Sequence, residues 1–172
     1  LRTLVFIRWI AIAGQAAALL VVHYGLGFDL PIVPTMAAVI ASAFVNLAAQ
    51  FSGRSGPISD KGAAGYLAFD IAQLAVLLFL TGGLGNPFAF LLLAPVAISA
   101  TVLSLRSTIT LSALALVAIT VLSVKHMALP WRGPPPELPT VYLLGVWTAL
   151  AIGILFFATY TWRVARAARE LS

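Results

Sequence analysis

Six apolar runs, each close to the roughly 20 residues that an α-helix needs to cross a hydrocarbon core, take up nearly all of this chain. Lipid offers no hydrogen bonds to the backbone, so uninterrupted runs of this length fold as helices that satisfy their own N–H and C=O groups. The runs extend from about Thr3 to His23, Ile32 to Phe51, Ala64 to Thr81, Pro87 to Leu105, Thr108 to Leu129 and Pro139 to Trp162. Gly25-Leu26-Gly27, the segment Ser52-Gly53-Arg54-Ser55-Gly56-Pro57, Gly82-Gly83, Arg106-Ser107 and the Pro-rich stretch Gly133-Pro134-Pro135-Pro136 separate them. Charge content agrees: 9% of residues are charged, against about 25% in soluble domains, too few to coat a water-exposed globule. The expected fold is an all-α integral membrane protein, a six-transmembrane-helix bundle. The first run lacks the small-residue cleavage site of a signal peptide. The chain starts at Leu1 and stops just after a basic helix, so it is expected to be a piece of a longer protein. With no cysteine, disulfides, thiolate ligands and redox thiols have no place in this stretch.

Basic residues set the expected orientation. Arg2, Arg8, Arg54, Lys61, Arg106, Arg163, Arg166 and Arg169 fall on one side, with only Lys125 and Arg132 on the other. The positive-inside rule then puts both termini in the cytoplasm. Trp9, Tyr66, Tyr160 and Trp162 would lie at the inner interface, and Tyr24, Trp131 and Tyr142 at the outer. The net charge of +5 is spread over several loops, which suits membrane lipid headgroups and gives no footing for nucleic acid. Past Trp162 the sequence keeps good helix formers and no Gly or Pro. The sixth helix should therefore extend into the cytoplasm, with Arg163, Arg166 and Arg169 on a basic face. That places a membrane domain over residues 1–162 and the start of a signalling helix over 163–172. Gly145, Ala149 and Gly153, and likewise Gly14 and Ala18, are spaced for close helix approach, within the chain or between subunits.

The segment Gly82-Gly83-Leu84-Gly85-Asn86-Pro87-Phe88 has chemistry of its own. Glycine suits the left-handed turn that ends a helix. Asn86 before Pro87 reads as an N-cap followed by proline at the first helical position. A plain outer-face hairpin explains all of this. The same turn also offers N–H groups at a helix start, room for a ligand to approach the glycine backbone, the Asn86 amide and the Phe88 ring. These features suit a lipid with a flat polar head.

Asp70 is the one acidic residue well inside a run, about six residues from its start. A buried charge there must be paired or protonated. Arg8 lies at comparable depth, so an Arg8–Asp70 pair is expected, with Asn46, Gln50 and Gln73 as hydrogen-bonding neighbours. Interhelical adhesion accounts for such a cluster; no further acid or histidine continues a proton path. His23 and His126 lack the companions and spacing of a metal or haem site. No Ser/His/Asp set, catalytic carboxylate pair or phosphate loop is present.

The heptapeptide resembles the GGxxNPF motif of the RegB/PrrB family of redox-sensing histidine kinases. The opening Leu1-Arg2-Thr3-Leu4 with Arg8-Trp9, and Asp70 and Gln73, resemble the same family, as does the count of six helices. The resemblance implies a multi-pass sensor domain of the bacterial inner membrane, ahead of a dimeric cytoplasmic kinase. It implies ubiquinone as the sensed ligand, with Gly82, Gly83, Asn86, Pro87 and Phe88 as its site. It also implies a homodimer and a partner response regulator, phosphorylated less when the quinone is oxidised. The phosphoacceptor histidine, nucleotide-binding boxes and reactive cysteine of that family's kinase portion are absent from this stretch, which has no catalytic residues. Because an asparagine amide both donates and accepts, redox discrimination would need a second polar group, for which Tyr142 and Trp147 are candidates. The alternatives are a fragment of a transporter or permease, in which the Gly-rich segment is only a turn, and a membrane-embedded enzyme.

Overall fold

The computed structural model describes residues 2–52, 58–134 and 136–172. Arg54 with the break at 53–57, Leu1 of the opening motif, and Pro135 lie outside the described residues. The described residues form helices and connecting turns. The helices are α1 (Arg2–Leu20), α2 (Ile32–Gln50), α3 (Asp60–Leu80), α4 (Leu93–Val102), α5 (Leu105–Val124) and α6 (Thr140–Leu171). Five of the helical segments are long and apolar enough to cross a membrane; the shorter Pro87–Val102 segment provides the sixth apolar rod.

Several boundaries differ from the sequence reading, each for a local reason. α3 starts at Asp60 rather than Ala64, because Ser59 caps it by accepting from the Gly62 N–H. The turn between α4 and α5 falls at Leu103-Ser104 rather than Arg106-Ser107: Ser104 caps α5 through the Ser107 N–H, and Arg106 lies in the first helical turn. α5 ends at Val124, short of Leu129, and the chain then doubles back so that the Met127 N–H donates to the Phe79 carbonyl at 2.8 Å. The fourth rod enters as a 3-10 helix over Pro87–Leu92 before becoming α-helical. Pro95 explains the change of winding, since its ring would collide with the Leu91 carbonyl of a regular α-helix. Six residues at about 2.0 Å and ten at about 1.5 Å give a rod of about 27 Å, close to the hydrocarbon thickness.

The core lies among α3, α4, α5 and α6, where Ile71, Leu92, Val96, Ala115, Ile119 and Ile154 are fully buried. α4 and α6 are in close contact: a Cβ on Gly153 would sit 3.1 Å from Leu93, so glycine there sets the approach. Gly145 and Gly14 have no heavy atom within 4 Å of a built Cβ. α6 is one continuous helix of 32 residues, about 48 Å long and well beyond the hydrocarbon core. In its last turns Arg166 pairs with Glu170 of the same helix at 2.9 Å, and Arg169 reaches the Thr101 carbonyl at 3.2 Å, tying the end of α6 to α4. α1 packs mainly on α2 and contributes only Val5 and Arg8 to the buried set.

Candidate functional site

Between α1 on one side and α3 and the fourth rod on the other runs a cleft of about 580 Å³, within the size range of small-ligand sites. Its walls are aliphatic. Ala11, Gly14 and Ala18 on α1 face Leu74 and Leu77 on α3, and Leu91, Ala94 and Ile98 close the third side. Within the chain, these small residues on α1 leave space along the cleft.

At the N-terminal end of α1 the cleft reaches the expected ion pair. Arg8 Nη2 donates to Asp70 Oδ1 at 2.8 Å, and Arg8 Nε donates to both carboxylate oxygens at 3.1 Å. Arg8 Nη1 reaches Asn46 Oδ1 at 3.3 Å, while Asn46 Nδ2 donates to the Val5 carbonyl at 3.0 Å. The guanidinium also lies 5.2 Å from the centre of the Tyr66 ring. Asn46 is thus part of the cluster as expected. Gln50 is not: it accepts from Trp9 Nε1 at 3.1 Å. Gln73 turns instead to Gln15, a residue that sequence reasoning missed. The two carboxamides exchange hydrogen bonds, Gln15 Nε2 to Gln73 Oε1 at 3.2 Å and Gln73 Nε2 to Gln15 Oε1 at 2.8 Å. The signal was available: Gln15 lies two turns beyond Arg8, on the same face of α1.

At the other end the cleft meets the Gly-rich hairpin. Asn86, Pro87 and Phe88 line it, and Phe88 is 46% exposed, leaving its ring free at the rim. Asn86 does cap the helix start as expected, its Oδ1 accepting from the Phe88 N–H at 2.9 Å. Its Nδ2 is committed as well, to the Thr81 carbonyl at 3.2 Å and Thr81 Oγ1 at 2.9 Å. Several of the backbone N–H groups at this helix start are occupied too. Gly85 and Asn86 donate to the carbonyls of Gly82 and Gly83, and Ala89 donates to that of Asn86.

Gly82 and Gly83 sit behind the cleft, buried under the chain that follows α5. Both have positive φ, +104° and +60°. A Cβ on Gly82 would meet Leu129 at 2.8 Å, and one on Gly83 would meet the His126 ring at 2.7 Å. The room that a side chain would take at these glycines is filled by protein. The same returning chain brings Leu129, Pro130 and Trp131 to the cleft. Trp131 packs against Phe28 with ring centres 5.3 Å apart, and Arg132 Nε donates to the Gly27 carbonyl at 3.1 Å. Two loops therefore roof the hairpin end. Tyr142 and Trp147 do not line the cleft; Trp147 Nε1 donates to Thr120 Oγ1 at 3.1 Å.

Residues 16–146 match a family model described as a PilS-like transmembrane domain. The chain belongs to this family. The whole chain of 172 residues aligns with the sensor histidine kinase RegB of Cereibacter sphaeroides at 42% identity. A second RegB sequence, from a named strain of that organism, is 44% identical over the same span. The domain covers 38% of the length of each of these relatives. No solved structure matches it. The resemblance drawn from the heptapeptide is thereby borne out. Family membership and the helices together make the chain a multi-pass membrane domain, and leave the permease and membrane-enzyme alternatives without support.

Proposed function

We propose that this membrane sensor domain of a histidine kinase detects ubiquinone, taken up in the cleft between α1, α3 and the fourth rod. The single observation that carries the reading is the cleft itself, about 580 Å³ with aliphatic walls and polar side chains at separate levels along its length. A quinone needs this combination: hydrogen bonding for its ring oxygens and hydrocarbon for its tail. Ile7 and Phe88, both partly exposed, stand at its rim on α1 and on the fourth rod, so a lipophilic ligand can enter sideways from the bilayer. In this reading Pro87 and Phe88 form the wall against the ring or tail, Asn86 holds the hairpin in shape, and Gly82 and Gly83 let the roof close behind them. In this proposal the domain lies in the bacterial inner membrane with both termini cytoplasmic, the orientation that the distribution of basic residues favours. A homodimeric kinase portion follows α6 and phosphorylates a response regulator.

The fourth rod joins ligand to output. Ala94, Pro95 and Ile98 face the cleft, Leu93 abuts Gly153 of α6, and the Thr101 carbonyl holds Arg169. A ligand that favours one setting of this rod shifts the population of α6. One mismatched buried hydrogen bond is worth about 1–3 kcal/mol, whereas a swing from 1:99 to 99:1 needs about 5.5 kcal/mol. Redox state read through one contact therefore tunes the output by about ten- to a hundredfold without switching it fully.

The test is a titration of the chain in lipid nanodiscs with a short-chain ubiquinone analogue, followed by quenching of tryptophan fluorescence. Saturable quenching is expected in the parent chain, with its loss in Ala94→Trp, whose indole fills the cleft. A parent chain that shows no saturable binding overturns the proposal.

A further inference from the structure

We infer that the Gln15–Gln73 carboxamide pair, and not the hairpin motif, is the polar seat for a ring oxygen of the ligand; this rests on the cleft being the ligand site. Polar side chains along the cleft differ in how much hydrogen-bonding capacity they retain. At the hairpin end the side-chain donors of the motif and of Thr81 are already in use. Both N–H groups of Asn86 are committed to Thr81, and its Oδ1 accepts from the Phe88 amide. Thr81 Oγ1 spends its own proton on the Leu77 carbonyl at 2.6 Å. A ligand carbonyl arriving at the motif meets a hydroxyl and a carboxamide already in use; the Trp131 indole at that end belongs to the roof and not to the motif. At the opposite end Arg8 is 4% exposed and engaged by Asp70 and Asn46.

The glutamine pair differs on each count. A carboxamide has two N–H donors and two acceptor sites. In the reciprocal pair each glutamine spends one of each on the other. The second N–H of Gln73 reaches the Ala38 carbonyl at 3.4 Å. Gln15 therefore retains a donor and an acceptor site, and Gln73 an acceptor site, all on a wall of the cleft. The pair can give an N–H to a quinone carbonyl or accept the hydroxyl of a quinol without being broken.

Space is present at the same level. Gly14 precedes Gln15, lines the cleft, and has nothing within 4 Å of where a Cβ would stand. Gln73 lies eight residues before Thr81 on α3, about 12 Å along the helix. A ring seated on the glutamines thus has aliphatic wall between it and the hairpin, where its tail can lie against Pro87 and Phe88. The motif then acts as wall and hinge, while recognition sits on α1 and α3.

A pair that merely glues α1 to α3 would contribute to stability and nothing else. Replacing both partners by apolar groups of similar shape is close to neutral for folding. This makes Gln15→Leu/Gln73→Leu the informative variant. Titrated with the short-chain ubiquinone analogue in nanodiscs, it should keep its helical content and lose at least about tenfold in affinity. The carbonyl stretch of the bound analogue, red-shifted by hydrogen bonding in the parent chain, should return to its hydrocarbon value. Gln15→Met, which leaves Gln73 its bond to Ala38, gives the same readouts should the double variant fail to fold. Parent binding with affinity and red shift unchanged in these variants overturns the glutamine assignment and leaves the cleft as ligand site. Absence of binding in the parent chain overturns both.

Discussion

Removing the Asp70 carboxylate should destabilise the bundle far more than removing it together with its partner. Asp70 receives three hydrogen bonds from Arg8, whose guanidinium has one further side-chain acceptor, Asn46. Asp70→Leu leaves an almost fully buried cation with Asn46 alone. Breaking such a pair from one side costs about 3–5 kcal/mol in protein interiors. Asp70 is 25% exposed toward the cleft and the Arg8 side chain only 5%, so partial solvation puts the expected loss at the lower end, about 3 kcal/mol. Arg8→Met/Asp70→Leu removes both charges and leaves only the Asn46 amide short of one partner, a loss of about 1 kcal/mol. The double-mutant cycle should therefore give a coupling of at least about 2 kcal/mol. The assay is equilibrium unfolding in mixed micelles by titration with a denaturing detergent, followed by circular dichroism, on the parent, the two single variants and the double. Single-variant losses that add to within about 0.5 kcal/mol would show that the pair does not couple α1 to α3, and would refute the reasoning.

Two further predictions use the same unfolding assay. Gly83→Ala should cost about 2–3 kcal/mol, combining a left-handed backbone penalty of about 1–2 kcal/mol with the clash against His126. Adding His126→Ala should recover only the steric part, and full recovery would exclude the backbone contribution. Asp60 accepts from the Ser104 N–H at 2.7 Å and Ser104 Oγ at 2.9 Å, and also from Ser107 Oγ, tying the start of α3 to the start of α5. Asp60→Ala should cost about 1–2 kcal/mol, the size of a lost helix cap, and accelerate hydrogen exchange at Ser104; unchanged exchange would remove this latch from the account.

How far the sequence could be read depended on the kind of residue. The apolar runs located six rods because only self-bonded helices survive in lipid. Asn86 before Pro87 marked a helix start because a cap and its first turn are adjacent in the chain. Arg8 and Asp70 could be paired across 62 positions because each was costly to bury alone. Gln15 passed unnoticed because a neutral amide on an apolar helix carries no such demand. Gly82 and Gly83 were read as open backbone because nothing local reveals what fills the space beside a glycine. The end of α5 was placed too late because Met127, Ala128 and Leu129 are apolar whether they continue a helix or fold back over a hairpin.

The sequence by itself determined a membrane bundle, its rods, the hairpin cap and the need for an ion pair, since these follow from desolvation and from contacts between near neighbours in the chain. Only the tertiary structure decided that the returning chain after α5 occupies the space beside the glycines, and that α1 stands off from α3 to leave a cleft with a glutamine pair on its wall. Those outcomes depend on which side chains meet across helices distant in sequence, and on how much room small residues leave between them.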